Sequence, residues 1–180
     1  PHQYQRYQHI QQRKGAQQGP QLIGNGKGLC GKGGDAVPGE GEHLFERVFA
    51  LAGEPLVPLA VATSKLRSAA ITLLEGVGLA DRFITIQGAG ADAASADKAR
   101  VIRTAVDDLV AAGADTSGLV MVGDREHDIQ GARLHGIPAI LVRWGYARRG
   151  EEAGAVAVAE TPSELLRLLI DHPEGSSITP

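Results

Sequence analysis

The segment Val120-Met121-Val122-Gly123-Asp124-Arg125-Glu126-His127-Asp128 constrains this chain more than any other. An apolar strand runs into a glycine and then presents two aspartates four residues apart, where a helix should begin. Residues at that spacing share one helix face. A strand that delivers carboxylates at the start of a helix is how a parallel sheet holds a hard cation such as Mg²⁺ at its carboxyl edge. Such a site suits phosphoryl chemistry. The N-capping role of an aspartate accounts for the same residues more plainly, but the apolar strand before them and the glycine between favour the metal. His127 reads as a solvated helix-face residue, because Mg²⁺ prefers oxygen donors.

The rest of the composition narrows the function classes. The chain has 180 residues, 43% of them hydrophobic, enough for one domain with a real core. A formal net charge of −3 and 4% aromatic residues offer neither a basic surface nor a stacking platform for nucleic acid. No apolar run is long enough to span a bilayer, and no signal peptide is recognisable. Cys30 is the only cysteine, so no internal disulfide forms and a cytoplasmic setting is expected. Its surroundings, Gly28-Leu29-Cys30-Gly31, supply no base, which makes it an incidental loop cysteine.

Residues 1–41 differ in character from the remainder of the chain. Glutamines crowd the first part and glycines the second, and apolar residues show no period. The stretch is expected to be disordered and of low complexity. Residues 42–172 read as an α/β core domain and residues 173–180 as a tail. Leu44, Val48, Phe49 and Leu51 suggest a short helix. Strands are expected at Pro58–Ala62, Phe83–Ile86, Leu119–Val122, Ala139–Val142 and Ala155–Val158. Helices are expected over Leu66–Val77, Ala99–Val110, Asp128–His135 and Leu165–Leu169. This alternation predicts a Rossmann-like parallel sheet with helices on both faces, three layers in all.

Two further turns carry suitable side chains. Ala62-Thr63-Ser64-Lys65 follows the Pro58–Ala62 strand, and a hydroxyl with backbone N–H groups there can hold phosphate oxygens. It can equally be an ordinary N-cap. Lys98 opens the next helix, where a positive charge opposes the helix dipole. A lysine in that place can neutralise phosphoryl charge, or be a solvated surface residue.

Taken together, these turns resemble the haloacid-dehalogenase superfamily, in particular its phosphoglycolate-phosphatase-like branch. The resemblance covers residues 58 to 170 and continues through Gly131-Ala132, Gly136-Ile137 and Val142-Arg143-Trp144-Gly145-Tyr146. It implies a Mg²⁺-dependent phosphatase acting on a small phosphorylated metabolite through an aspartyl-phosphate. Thr63 would bind the phosphoryl oxygens, with Ser64 and Lys65 in support. Lys98 would stabilise the charge on nucleophile and phosphate. Asp124 would ligate Mg²⁺, and Asp128 would help hold the metal shell and Lys98. The family's first motif, a strand ending in Asp-x-Asp-Gly-Thr, has no counterpart before Thr63. Asp35 is the only aspartate in that part of the chain. The sheet is therefore expected to be incomplete at the N-terminus, lacking its central strand and the nucleophile. A truncated or frame-shifted start would explain this.

Two glycine patterns are decoys. Gly26-Lys27-Gly28-Leu29-Cys30-Gly31 matches a dinucleotide fingerprint, and Gly26 to Lys32 most of a P-loop, but no convincing strand precedes them and no helix opens after. Two alternatives to the phosphatase remain. One is an inactive fragment that keeps the metal turn without a nucleophile. The other is a non-enzymatic receiver-like binding domain, against which the order Thr63, Lys98, Asp124, Asp128 argues. Substrate and oligomeric state are not legible.

Overall fold

A computed structural model describes residues 21–24, 58–90 and 97–170. The strands are β1 (Gln21–Gly24), β2 (Leu59–Leu66), β3 (Thr85–Ala89), β4 (Leu119–Gly123), β5 (Ala139–Val142) and β6 (Ala157–Ala159). The α-helices are α1 (Arg67–Gly76), α2 (Lys98–Ala111), α3 (Glu126–Arg133) and α4 (Pro162–Ile170), with a 3₁₀ turn at Ala80–Arg82. Among the described residues the strands form one sheet in the order β3-β2-β1-β4-β5-β6, and every pairing is parallel. The expected three-layer α/β fold is what the chain adopts.

The centre of the sheet departs from expectation. Gln21–Gly24 lies in the stretch to which the sequence pattern assigns no folded element, yet it runs between β2 and β4. Gly24 is in register with Val61 on one side and Val122 on the other. The central strand is therefore present and the sheet is continuous. Four residues between Pro20 and a glycine-rich run are too short to show a period. Their place is decided by the backbone groups of β2 and β4, which need partners in the sheet interior. The remainder of residues 1–41, the helix suggested at Leu44–Leu51 and the 173–180 tail lie outside the described residues.

Alternation along the strands builds the two faces. Ala60 and Ala62 of β2, Met121 of β4 and Ala139 and Leu141 of β5 pack against α2 and α3 through Val101, Ile102, Ala105, Leu109, Ile129 and Ala132. On the opposite face, Val122, Ile140 and Val142 meet Leu165 and Leu169 of α4. Leu59 and Val61 meet Phe83 and Leu74 there. Ile102, Leu109, Met121, Ile140 and Leu141 are completely enclosed, each contributing about 1.5–3 kcal/mol through burial.

Element ends shift by small amounts, each with a local cause. β2 continues past Ala62 to Leu66 across an irregularity between Thr63 and Leu66, so α1 begins at Arg67. There β2 and β3 come very close: a Cβ on Gly88 would lie 2.5 Å from the Lys65 carbonyl oxygen. Phe83 plugs the core ahead of β3 rather than belonging to it. α3 starts at Glu126, two residues before Asp128, because Arg125 is its N-cap. No described helix is long and apolar enough to cross a membrane.

Candidate functional site

The carboxyl ends of β2, β1 and β4 lie side by side, and the site is built on that edge. Leaving β4, the chain passes Gly123 to Asp124, which is fully buried, and one turn later reaches Asp128, 3% exposed. Asp128 Oδ2 accepts from the backbone N–H groups of Asp124 at 3.0 Å and Arg125 at 3.1 Å. A carboxylate in the first turn that reaches back to the N-cap N–H satisfies donors the helix cannot, and it suits the positive end of the dipole. The fit needs Gly123, where a Cβ would lie 2.2 Å from that of Asp128.

Lys98 explains its own awkward position. Asp97 caps α2 by accepting from Ala99 N at 3.1 Å, which frees the next residue from capping. The Lys98 side chain turns inward and is 7% exposed. Its Nζ lies 2.8 Å from Asp128 Oδ1 and donates to the Ala62 carbonyl oxygen. One ammonium thus ties the end of β2 to the start of α3. A charge this deep is tolerated because it is paired and hydrogen-bonded. Thr63, next to Ala62, is 2% exposed, and its Oγ1 accepts from Lys65 N at 3.2 Å. The hydroxyl proton of Thr63 can still be donated. Ser64 and Lys65 are exposed. Of the sequence-predicted residues, Lys98 and Asp128 are joined directly. Thr63 and Asp124 flank them at the ends of β2 and β4, on either side of β1, while Ser64 and Lys65 lie on the outer rim.

The sequence pattern missed a group that shapes the same edge. After β5 a loop returns over the site, and Tyr146 N donates to Asp124 Oδ2 at 2.7 Å. Gly145 makes the approach possible, since a Cβ there would lie 2.3 Å from the same oxygen. Arg125 binds Glu151 with Nε and Nη2. Hydrogen bonding to Glu151 raises the Arg125 pKa above its ordinary value, and the Arg125 guanidinium lowers that of Glu151. A backbone N–H leaves no mark in a sequence. The one available signal was Gly145 within the Val142–Tyr146 match.

The two carboxylates differ in what their oxygens already bind. Both oxygens of Asp128 are engaged, by two N–H groups and by Lys98. Asp124 is a hard oxygen donor held in one orientation by Tyr146. Mg²⁺ commonly takes one or two carboxylates and fills its octahedron with water and substrate phosphate. The Asp124 carboxylate fits that pattern. Among the described residues no group of three or more His, Cys, Asp or Glu side chains gathers at one place. A separate cleft of about 690 Å³ lies under edge strand β3, lined by Arg67, Ile71, Thr85 and Asp108 among others. None of Thr63, Lys98, Asp124 or Asp128 lines it.

Comparison with known proteins places this geometry in context. Residues 96–168 match the family described as HAD-hydrolase-like. A tyrosine-protein kinase, PtkA, from Mycobacterium tuberculosis is 42% identical over 92 residues, 51% of this chain and 31% of that protein. A phosphoglycolate phosphatase from Caulobacter vibrioides is 35% identical over 120 residues, 64% of this chain and 49% of that protein. The chain thus spans half or less of the length of these two relatives. A crystal structure of a predicted phosphatase from Clostridium acetobutylicum superposes with a TM-score of 0.63 at 30% identity, covering 74% of this chain and 60% of that one.

Proposed function

The chain belongs to the haloacid-dehalogenase-like superfamily, on its phosphoglycolate-phosphatase-like branch, and from that premise we propose that its site binds the phosphoryl group of a small phosphorylated metabolite for Mg²⁺-dependent hydrolysis. The observation that carries the reading is the buried Lys98 ammonium, held between Asp128 and the Ala62 carbonyl beside Thr63. A buried cation at the carboxyl edge of a parallel sheet, flanked by a hydroxyl and a carboxylate, is suited to an anion with a metal counter-ion.

Thr63 donates its hydroxyl to a phosphoryl oxygen, and Ser64 supports it from the rim. Lys98 offsets the charge that gathers on the transferring group. Asp128 keeps Lys98 aimed, and serves as its support rather than as a primary metal ligand, because its oxygens are taken. Asp124 would hold Mg²⁺, which when bound supplies further positive charge to the phosphoryl oxygens.

A second reading is favoured by one sequence observation. Gly24 ends the central strand, and the next residues are Asn25, Gly26 and Lys27, none of them a carboxylate. An aspartyl-phosphate therefore has no assigned nucleophile in these 180 residues, and the alternative is a domain that binds phosphate without turnover. Hydrolysis of an aryl phosphate and of phosphoglycolate by the purified chain, with and without Mg²⁺, decides between them. Turnover that vanishes in Asp124→Asn and with a chelator supports the phosphatase. A folded, Mg²⁺-binding chain with no turnover supports the second reading.

A further inference from the structure

Arg125 and Glu151 have no part in the phosphoryl-binding reading, yet they are bonded at several points. Arg125 Nε lies 3.2 and 2.9 Å from the two Glu151 carboxylate oxygens, and Nη2 lies 3.1 Å from Oε1. Glu151 is 8% exposed, and its Oε2 also accepts from Arg148 N at 3.4 Å. The placement of the two partners is informative. Arg125 directly follows Asp124 and caps α3. Glu151 lies in the same β5–β6 connection as Tyr146, whose N–H holds Asp124 Oδ2 at 2.7 Å. On its other flank, Arg143 Nη1 donates to the Arg148 carbonyl at 3.1 Å and Nη2 pairs with Glu152 at 3.0 Å. The loop is thus pinned on both sides of Tyr146.

The approach to Asp124 has no slack. A methyl group on Gly145 would sit 2.3 Å from the carboxylate oxygen, so a small inward shift of the loop collides and a small outward shift lengthens the Tyr146 bond. A forked guanidinium–carboxylate pair fixes direction as well as distance. Groups that orient a ligating carboxylate set its affinity for the metal.

We propose that the Arg125–Glu151 pair is a positioning clamp, holding loop 143–151 against the start of α3 so that Tyr146 N–H fixes the Asp124 carboxylate for a divalent cation. The functional half of this proposal rests on reading Asp124 as the Mg²⁺ ligand.

The test uses the full chain labelled with ¹⁵N-tyrosine. There are three tyrosines, and Tyr146→Phe identifies the resonance of interest. Amide exchange at Tyr146 and Mn²⁺ binding by electron paramagnetic resonance are compared in wild type, Glu151→Gln and Glu151→Ala. Asp107→Asn, which breaks the exposed Arg103–Asp107 pair, is the control. The clamp predicts faster Tyr146 exchange and about tenfold weaker Mn²⁺ binding in Glu151→Ala, a smaller change in Glu151→Gln, and none in Asp107→Asn. If Glu151→Ala does not fold, Glu151→Gln alone decides. Unchanged Tyr146 exchange and Mn²⁺ affinity, with only a lower melting temperature, would overturn the proposal by making the pair a structural brace. A wild-type chain that binds no Mn²⁺ overturns the metal reading of Asp124, and the functional half of the clamp falls with it. That failure is visible before any substitution is made.

Discussion

The two strand ends that flank the central strand are built to opposite specifications. At the end of β4, Asp124 and Asp128 are enclosed, Asp128 accepts from two backbone N–H groups and Asp124 from that of Tyr146, and neither Gly123 nor Gly145 has room for a Cβ. At the end of β2, Thr63 is enclosed, but Ser64, Lys65 and Leu66 are exposed and the strand register slips. One side holds charges at fixed positions. The other offers two hydroxyls, Thr63 and Ser64, on an irregular strand end. Lys98 joins the two by bonding to both strand-end segments. The difference teaches that substitutions on the β4 side should act first on stability, and those on the β2 side first on binding.

The largest effect separates the sides most clearly. Asp128→Ala leaves Lys98 buried without its counter-charge and is expected to cost about 3–5 kcal/mol, read by chemical denaturation. Ser64→Ala, on the exposed end of β2, should stay within about 0.5 kcal/mol of wild type. Equal losses at both positions would erase the distinction. Gly145→Ala comes next. Its methyl must displace the Asp124 carboxylate or the loop, at about 1–3 kcal/mol, with weaker divalent-cation binding in the same protein. A Gly145→Ala chain of unchanged stability and metal affinity would show that the loop has room to yield.

Thr63→Val sharpens the other side. It removes one hydroxyl and its bond to Lys65 N, so the stability loss should be about 1 kcal/mol, while phosphate affinity falls about tenfold. The smallest effect concerns pH. Glu152 is held below the ordinary carboxylate range by its own backbone N–H and by the Arg143 guanidinium. A depressed folded-state value means the contribution is complete above the unfolded carboxylate value and is lost as pH falls through the folded one. The stability contributed by this carboxylate, read by chemical denaturation, should therefore hold steady from pH 8 down to about 5 and fall only below the usual carboxylate range of about 4.3.

The β4 side was also the more legible from sequence. An apolar run ending in glycine and two aspartates announces both the strand and the turn. Lys98 betrayed itself by standing against the helix dipole. The centre of the sheet was not legible. Gln21–Gly24 has four residues, and its place is set by the gap between β2 and β4 rather than by any pattern of its own. The bond from Tyr146 to Asp124 was hidden for another reason: it runs through a backbone N–H, which every residue but proline carries. Arg125 and Glu151 are 26 positions apart, so only the fold reveals that they meet.

The central claim is that Thr63, Lys98 and Asp124 surround one phosphoryl group and a metal. Titration of orthophosphate by calorimetry, with and without Mg²⁺, addresses it without requiring turnover. Each ligand is expected to tighten the other's binding by the same factor, with Asp124→Asn abolishing this coupling and Lys98→Met abolishing phosphate binding. Phosphate that binds equally well with and without Mg²⁺, or binding indifferent to both substitutions, would contradict it.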